Sequence, residues 1–97
     1  MINLNITARN FELREDMKNY IEKRLSKIER FSNHIIKSNL IFEEQRGQYS
    51  GEIIIEVTKK GILKAKASNS DFFTVVDELK DKIINQLKKY EQKLKGK

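Results

Sequence analysis

The 97-residue sequence predicts an α/β two-layer sandwich, in which a four-stranded sheet carries two helices on one face in the order β-α-β-β-β-α. Apolar residues alternate with polar ones in four short segments, as in half-buried strands. They recur every three or four residues in two longer segments, as in amphipathic helices. Because each strand has one apolar face and each helix one apolar stripe, both helices are expected to cover the same face of the sheet.

The first strand and the first helix occupy the N-terminal third of the chain. Ile2, Leu4, Ile6 and Ala8 alternate with polar residues and predict the strand. The segment 11–31 predicts a helix of about five turns, because its apolar positions are three or four residues apart. These positions are Leu13, Met17, Tyr20, Ile21, Leu25, Ile28 and Phe31.

Three further strands are predicted in the middle of the chain. The second has Ile36, Leu40 and Phe42 on its inner face, with Ser38 in phase. The polar segment "EEQRGQYSG" links it to a third strand over 53–57. "TKKG" then predicts a tight hairpin turn. The fourth strand alternates an apolar set with two lysines on its other face; its members are Leu63, Ala65, Ala67, Lys64 and Lys66.

The last element is a long amphipathic helix that runs nearly to the end of the chain. Ser70 or Asp71 is suited to cap its N-terminus, since both side chains accept hydrogen bonds from exposed backbone amides. The apolar stripe again follows steps of three and four residues. It contains Phe72, Val76, Leu79, Ile83, Leu87, Tyr90 and Leu94.

The charge of the chain favours an anionic partner. The formal net charge is +6, and residues 81–97 hold six lysines and only two acidic residues. Nucleic acid and a membrane surface both fit this balance. A membrane-bound last helix is disfavoured, because its apolar stripe is needed to close the core of so small a domain. The chain has no cysteine and no long apolar run, which favours a reducing cytoplasm.

The sequence offers no catalytic constellation. His34 is the only histidine, and its place in a predicted helix–strand loop favours a surface residue over a metal ligand. Asp77 and Asp81 are four residues apart on the last helix, but the charged residues around them favour a solvated face over an acid–base pair. We therefore expect no enzyme activity, no cofactor, no metal and no small-molecule substrate.

A row of basic residues follows one flank of the last helix. At about 100° per residue, this row is made by Lys82, Gln86, Lys89 and Lys93. The opposite flank carries Lys80, Ile84 and Glu91, while Lys88 and Lys95 are expected in solvent. Any lysine-rich helix will show some such row by chance, so the row alone does not separate a binding surface from a soluble one.

The first helix adds basic residues of its own. Lys23, Lys27 and Arg30 share one flank, whereas Arg24 falls inside the apolar arc. That arginine must reach past its neighbours or lie in a groove beside the second helix. Two neighbouring helices would bring both basic rows to a shared outer face, which suits backbone phosphates at several positions. Exposed aromatic residues are too few for a base-stacking platform, so the residues predict a sequence-insensitive binder of structured nucleic acid.

Three segments of the chain, in order, resemble one known family, the ribosome hibernation promoting factors, which include the ribosome-associated inhibitor also called protein Y. They are "LNITARNFEL" at 4–13, "YIEKRLSKIERF" at 20–31 and "SDFFTVVDELKDKIINQLKKYEQKLK" at 70–95. The resemblance implies the fold given above, similar to a double-stranded-RNA-binding domain. Two departures stand out: Phe73 replaces the family's usual tyrosine, and Glu91 stands where basic residues are common.

The resemblance also implies a function. Family members bind the small (30S) ribosomal subunit at the decoding region and the messenger RNA channel. They block messenger and transfer RNA and so inhibit translation under stress or in stationary phase. The basic positions of the family fall on Arg24, Lys27, Lys82, Lys89 and Lys93, with Gln86 between them. Together with Lys23 and Arg30, these are the expected contacts to 16S ribosomal RNA.

Domain organisation and partners follow from the same resemblance. Residues 1–97 are expected to form a single ribosome-binding domain without the C-terminal dimerisation domain of longer members, and the protein is expected to be a cytoplasmic monomer off the ribosome. In some bacteria the short form works with a separate ribosome modulation factor. The alternative that the residues leave open is a general double-stranded RNA-binding module that acts off the ribosome.

Overall fold

The computed structural model describes residues 4–59 and 61–95 and shows the predicted order of elements. Ile2 of the predicted first strand and Lys60 of the predicted turn lie outside the described residues. The strands are β1 (Leu4–Arg9), β2 (Ile35–Gln45), β3 (Gln48–Val57) and β4 (Gly61–Asn69). The helices are α1 (Glu15–Leu25) and α2 (Phe72–Lys95), and a 3-10 helix (Ser26–His34) joins α1 to β2.

The four strands form one mixed sheet in the order β1-β2-β3-β4. The edge strand β1 pairs with β2 in parallel, with Leu4 opposite Ser38 and Ala8 opposite Phe42. This parallel pairing requires a crossover connection, which α1 and the 3-10 helix supply. The pairs β2–β3 and β3–β4 are antiparallel hairpins, so β4 is the other edge of the sheet.

The hydrophobic core lies between one face of the sheet and the helices, as predicted. The helix α2 packs on β3 and β4, the 3-10 helix packs on β2, and α1 packs against α2. The core contains Met17, Ile21, Leu25, Ile28, Phe31, Leu40, Phe42, Ile53, Ile55, Val57, Ala65, Phe72, Val75, Val76, Leu79, Ile83 and Leu87. Lys64 and Lys66 are exposed on the other face of the sheet, which no helix covers. The predicted sandwich is therefore confirmed.

The first helix is shorter than the five turns predicted over 11–31. The α-helical part ends at Leu25, and the chain continues as a 3-10 helix to His34. The apolar residues Leu25, Ile28 and Phe31 are three apart, and all three are buried. A repeat of three residues matches the 3-10 period, so the tighter helix keeps the same side chains in the core.

The polar link predicted over 43–51 is in fact a continuous β-hairpin. The strands β2 and β3 stay paired to Gln45 and Gln48, and only Arg46 and Gly47 form the turn. Both residues have positive φ angles, 54° and 78°, as a two-residue hairpin turn of this hand requires. Arginine rarely adopts this conformation, which is why the dipeptide gave no turn signal in the sequence.

The prediction that Ile36 faces the core is wrong. This side chain is 61% exposed, whereas Ser38, Leu40 and Phe42 are buried as predicted. The pairing of β2 with β3 shifts between Ile35 and Lys37, since these two residues lie opposite the consecutive Val57 and Glu56. The extra residue is a β-bulge, and it breaks the alternation of faces at the start of the strand.

The start of α2 is capped by Asp71, one of the two predicted residues. Its carboxylate accepts hydrogen bonds from the backbone N–H of Thr74 at 3.2 Å and from the Thr74 hydroxyl at 2.7 Å. The backbone N–H of Asp71 in turn donates to the Asn69 side chain at 2.9 Å. These bonds hold the turn that brings the chain from the edge strand β4 onto the sheet. None of the described helices is long and apolar enough to cross a membrane.

Candidate nucleic-acid interface

The predicted basic row of α2 lies along the edge strand β4. The Lys82 ammonium donates a hydrogen bond to the Lys66 carbonyl at 2.6 Å, and the Gln86 side-chain amide donates to the Lys64 carbonyl. Lys89 and Lys93 are exposed and continue the row towards the C-terminal end of the helix. We call these four residues the edge row.

Two members of the edge row have a structural role. An edge strand carries backbone groups that no neighbouring strand pairs, and such groups are open to association with other chains. The backbone carbonyls of Lys64 and Lys66 face this open edge. They accept hydrogen bonds from the side chains of Gln86 and Lys82 on α2. The donors of these two side chains are therefore partly engaged within the protein, whereas those of Lys89 and Lys93 have no partner among residues 4–59 and 61–95.

Arg24 lies in the contact between the two helices. Its Nε is 3.2 Å from a carboxylate oxygen of Asp77, and its guanidinium lies 5.2 Å from the centre of the Tyr20 ring. The Tyr20 hydroxyl donates to the same carboxylate at 2.9 Å. The nearby Tyr20 hydroxyl, and after it the charge of Asp77, raise the pKa of Arg24 above its ordinary value. The sequence left two positions open for the Arg24 side chain. In the structure this side chain lies in the groove beside α2.

The other basic residues of the first helical segment extend from this contact. Lys23 is exposed in the last turn of α1, and Lys27 and Arg30 are exposed on the 3-10 helix. The Arg30 guanidinium lies 4.8 Å from the centre of the Phe31 ring. Lys27 and Arg30 line an open groove between the 3-10 helix and α2, which we call the interhelical groove.

The interhelical groove contains two lysines that the sequence had not placed in the site. Its lining residues are Ser26, Lys27, Arg30, Lys80, Asp81, Ile84, Asn85 and Lys88. The sequence pattern put Lys80 and Ile84 on one flank of α2 correctly, but it did not show that the 3-10 helix borders that flank. If the position of the 3-10 helix had been known, the helical periodicity of α2 would have placed Lys80 and Lys88 in the same basic surface as Lys27 and Arg30.

The two predicted basic rows do not meet at one shared face. The edge row lies on the β4 side of α2, whereas Lys27 and Arg30 lie on the opposite side of this helix. The expectation of converging rows is therefore wrong, because α2 itself stands between them. The basic surface instead wraps around α2 in two strips, and the predicted contact of each residue with RNA stays a prediction.

A polar cluster at the far end of α2 explains two residues that the sequence left unclear. The His34 side chain is only 17% exposed, contrary to the expected surface position, and its Nε2 is 3.3 Å from the Glu91 carboxylate. The backbone N–H of Thr58 donates a hydrogen bond to the His34 carbonyl at 2.9 Å. The Tyr90 hydroxyl donates a hydrogen bond to the Thr58 carbonyl. Glu91 is thus part of a contact that holds the end of α2 to the body of the domain.

Sequence comparisons show the family of the chain. The profile of the family described as "Sigma 54 modulation protein / S30EA ribosomal protein" matches residues 4–95. A match over nearly the whole chain shows that the protein belongs to this family. The ribosome hibernation promoting factor of Escherichia coli (strain K12) is 27% identical over 92 residues, which are 95% of this chain and 96% of that relative. The resemblance drawn from the residues is confirmed.

Two solved structures share the fold. The N-terminal domain of Thermus thermophilus Protein Y matches with a TM-score of 0.79 at 19% identity, over 92% of this chain and 97% of that one. A ribosomal subunit interface protein from Coxiella burnetii matches with a TM-score of 0.82 at 22% identity, over 91% and 96% of the two chains. At these identities the likeness establishes the arrangement of strands and helices and nothing finer.

Proposed function

We propose that this protein is a ribosome hibernation factor that binds the small ribosomal subunit at the decoding region and inhibits translation there. The observation that carries the proposal is the family match over residues 4–95. The E. coli relative, named a ribosome hibernation promoting factor, is aligned over 96% of its own length, so the likeness is not restricted to a fragment of it. The basic surface around α2 supplies what binding to ribosomal RNA requires.

The proposed mechanism is steric exclusion without catalysis. Cationic side chains on both helical segments contact phosphates of 16S ribosomal RNA, and the body of the domain fills the path of messenger and transfer RNA. The proposed contacts are Lys23, Arg24, Lys27, Arg30, Lys82, Gln86, Lys89 and Lys93. Phosphate contacts of this kind give affinity and position and do not require base recognition.

The setting of this function is also proposed. The protein acts in the cytoplasm under stress or in stationary phase, as a single ribosome-binding domain that is monomeric off the ribosome. A ribosome modulation factor is a proposed partner where the cell contains one. No membrane and no small molecule take part in the mechanism.

Co-sedimentation with isolated small ribosomal subunits tests the proposal. The wild-type protein should pellet with the subunit at low salt and leave it as salt rises, with a log–log slope of roughly −0.7 to −0.9 for each neutralised phosphate. Failure of the wild type to pellet, or its full retention at high salt, would contradict the proposal. A short RNA duplex serves as the competitor, since equal affinity for the duplex would favour a general double-stranded RNA-binding module.

A charge-reversal variant tests the edge row in the same assay. Lys82→Glu, Lys89→Glu and Lys93→Glu together should weaken binding at every salt concentration. The matched control is Lys37→Glu, Lys64→Glu and Lys66→Glu, which makes the same change of net charge at exposed residues of the sheet. Lys80 is not a suitable control, because its side chain is only 16% exposed and is paired with Asp81. Equal losses in both variants would show that only the total charge matters.

A further inference from the structure

The interhelical groove is a basic feature of the helical face. It has a volume of about 760 Å³ and lies between the 3-10 helix and the middle of α2. One wall carries Lys27 and Arg30, and the other carries Lys80 and Lys88. Asp81 is the only acidic residue in the lining, so the cations of the groove outnumber its anions.

Most of these cations are free to bind an external anion. Lys27 and Lys88 are exposed and make no ion pair or hydrogen bond within residues 4–59 and 61–95. Among the described residues Arg30 makes only the contact with the face of Phe31, which leaves the donors at the edge of its guanidinium available. In the edge row, by contrast, Lys82 and Gln86 already donate to carbonyls of β4.

Asp81 offsets the charge of Lys80, which is held at the wall of the groove. The Lys80 side chain is 16% exposed, and its ammonium is 2.7 Å from the exposed carboxylate of Asp81. A mostly buried stem restricts the rotamers of this side chain, so the charge is held at the wall before any ligand arrives. A phosphate at this position would meet an ammonium that has little conformational entropy left to lose.

The shape of the groove suits a polyanion backbone. Lys80 and Lys88 are two turns apart on α2, a distance of about 12 Å along the helix axis. A nucleic acid strand places several phosphates within such a length, whereas one small anion would reach only one end of it. Anionic lipid is a poorer fit, because Ile84 is the only apolar residue of the lining and a membrane-bound surface needs an apolar face.

We propose that the interhelical groove is the principal site for the RNA phosphate backbone. Lys27, Arg30 and Lys88 contact successive phosphates, Lys80 lies at the wall paired with Asp81, and Ser26 and Asn85 offer polar contacts. This inference rests on the proposed function and refines it, because it moves the larger share of binding from the edge row to the groove and adds Lys80 and Lys88 to the site.

Three matched triple variants test the inference on isolated small subunits. The groove variant is Lys27→Gln, Arg30→Gln and Lys88→Gln, and it leaves the mostly buried Lys80 in place. The edge-row variant is Lys82→Gln, Lys89→Gln and Lys93→Gln, and the open-sheet control is Lys37→Gln, Lys64→Gln and Lys66→Gln. Each removes three charges, and circular dichroism first establishes that all three fold like the wild type.

The readout is the salt dependence of the dissociation constant. Each lost phosphate contact lowers the magnitude of the log–log slope by about 1. The groove variant should therefore lose about 3, the edge-row variant less than the groove variant, and the control close to nothing. A groove variant with the wild-type slope, or an edge-row variant with the larger loss, would overturn the inference while the wild type still binds and the proposed function stands.

A short RNA duplex and vesicles of phosphatidylserine separate the two proposals further. If the wild type does not bind small subunits but binds the duplex through the groove, the proposed function fails and the groove assignment holds. If the wild type binds neither RNA, both fail. Groove-dependent binding to the vesicles without binding to RNA would overturn the groove assignment, because it would identify a lipid headgroup as the occupant.

Discussion

Tyr20 and Asp77 join α1 to α2 outside the apolar core. The Tyr20 hydroxyl donates to the Asp77 carboxylate at 2.9 Å, and Arg24 is held by the same carboxylate and by the Tyr20 ring. A single tyrosine hydroxyl therefore supports the position of an arginine that belongs to the proposed RNA-binding surface. Asp77 takes part in this contact, although its side chain remains 41% exposed.

The substitution Tyr20→Phe should lower the free energy of unfolding by about 1–2 kcal/mol, because it removes a hydrogen bond to a charged acceptor. Urea unfolding gives the value. The matched control is Tyr49→Phe, since the described residues give the Tyr49 hydroxyl no hydrogen bond, and its effect should stay within about 0.5 kcal/mol. Equal effects of the two substitutions would mean that the contact with Asp77 contributes nothing.

Ser38 presents the opposite situation, a buried polar group without a partner. It is fully buried on the core face of β2, and its hydroxyl has no hydrogen-bond partner among the described residues. Ser38→Ala should raise the free energy of unfolding by about 1 kcal/mol, because the desolvation cost of the hydroxyl is removed. Ser50→Ala, at an exposed position of β3, is the control. A clear loss of stability in Ser38→Ala would show that the hydroxyl is satisfied.

At the scale of elements, Gly51 sets how closely α2 approaches the sheet. A Cβ atom at this position would lie 2.8 Å from Leu79 Cδ1 and 2.9 Å from both Val75 Cγ1 and Phe42 Cε1. The absence of a side chain at this point of β3 thus lets α2 pack directly on the strand. Because α2 carries one wall of the groove, this contact also places Lys80 and Lys88 relative to the 3-10 helix.

Gly51→Ala should cost about 1–3 kcal/mol of folding free energy by overpacking the core, as measured by urea unfolding. Adding Val75→Ala makes room for the new methyl group, so the double variant should be more stable than the sum of the two single effects predicts. Ser68→Ala, on the exposed face of β4, is the control for a substitution by alanine in the sheet. Strict additivity of the two substitutions would argue against the clash.

The elements that were predicted correctly are those whose signal is local. The strand β4 and the helix α2 show uninterrupted periods of two and of three to four residues, and Asp71 caps the helix as its residue type predicts. The end of α1, the Arg46–Gly47 turn and the orientation of Ile36 were not predicted. The bulge at Ile36 exists only in the register with β3, and the Arg46–Gly47 turn gave no signal because arginine rarely adopts a positive φ.

The candidate site was also predicted only where its signal is local to one helix. The helical wheel identified the edge row and placed Lys80 on the other flank, because both follow from the geometry of one helix. It did not show that Lys82 would contact the Lys66 carbonyl, or that the 3-10 helix would border Lys80. The function of a flank depends on what lies beside it, and only the tertiary structure supplies that information.

At the scale of the whole molecule, the domain is an elongated body of 47 × 22 × 19 Å with a net charge of +6. The proposed steric mechanism requires that this body leave no room for messenger and transfer RNA at the decoding region. Exclusion of this kind has a strict thermodynamic consequence. If the protein and the RNAs cannot occupy the subunit together, each must raise the apparent dissociation constant of the other in proportion to one plus its free concentration divided by its own dissociation constant.

Small subunits preloaded with messenger RNA and transfer RNA should therefore bind the protein with an apparent dissociation constant that rises linearly with the concentration of the competing RNAs. Fluorescence anisotropy of the labelled protein measures this rise, and free transfer RNA without subunits is the control for direct binding to the competitor. A dissociation constant that levels off at high RNA concentration would reveal a ternary complex. The protein would then inhibit translation by a mechanism other than exclusion, even if the groove and the edge row both bind ribosomal RNA.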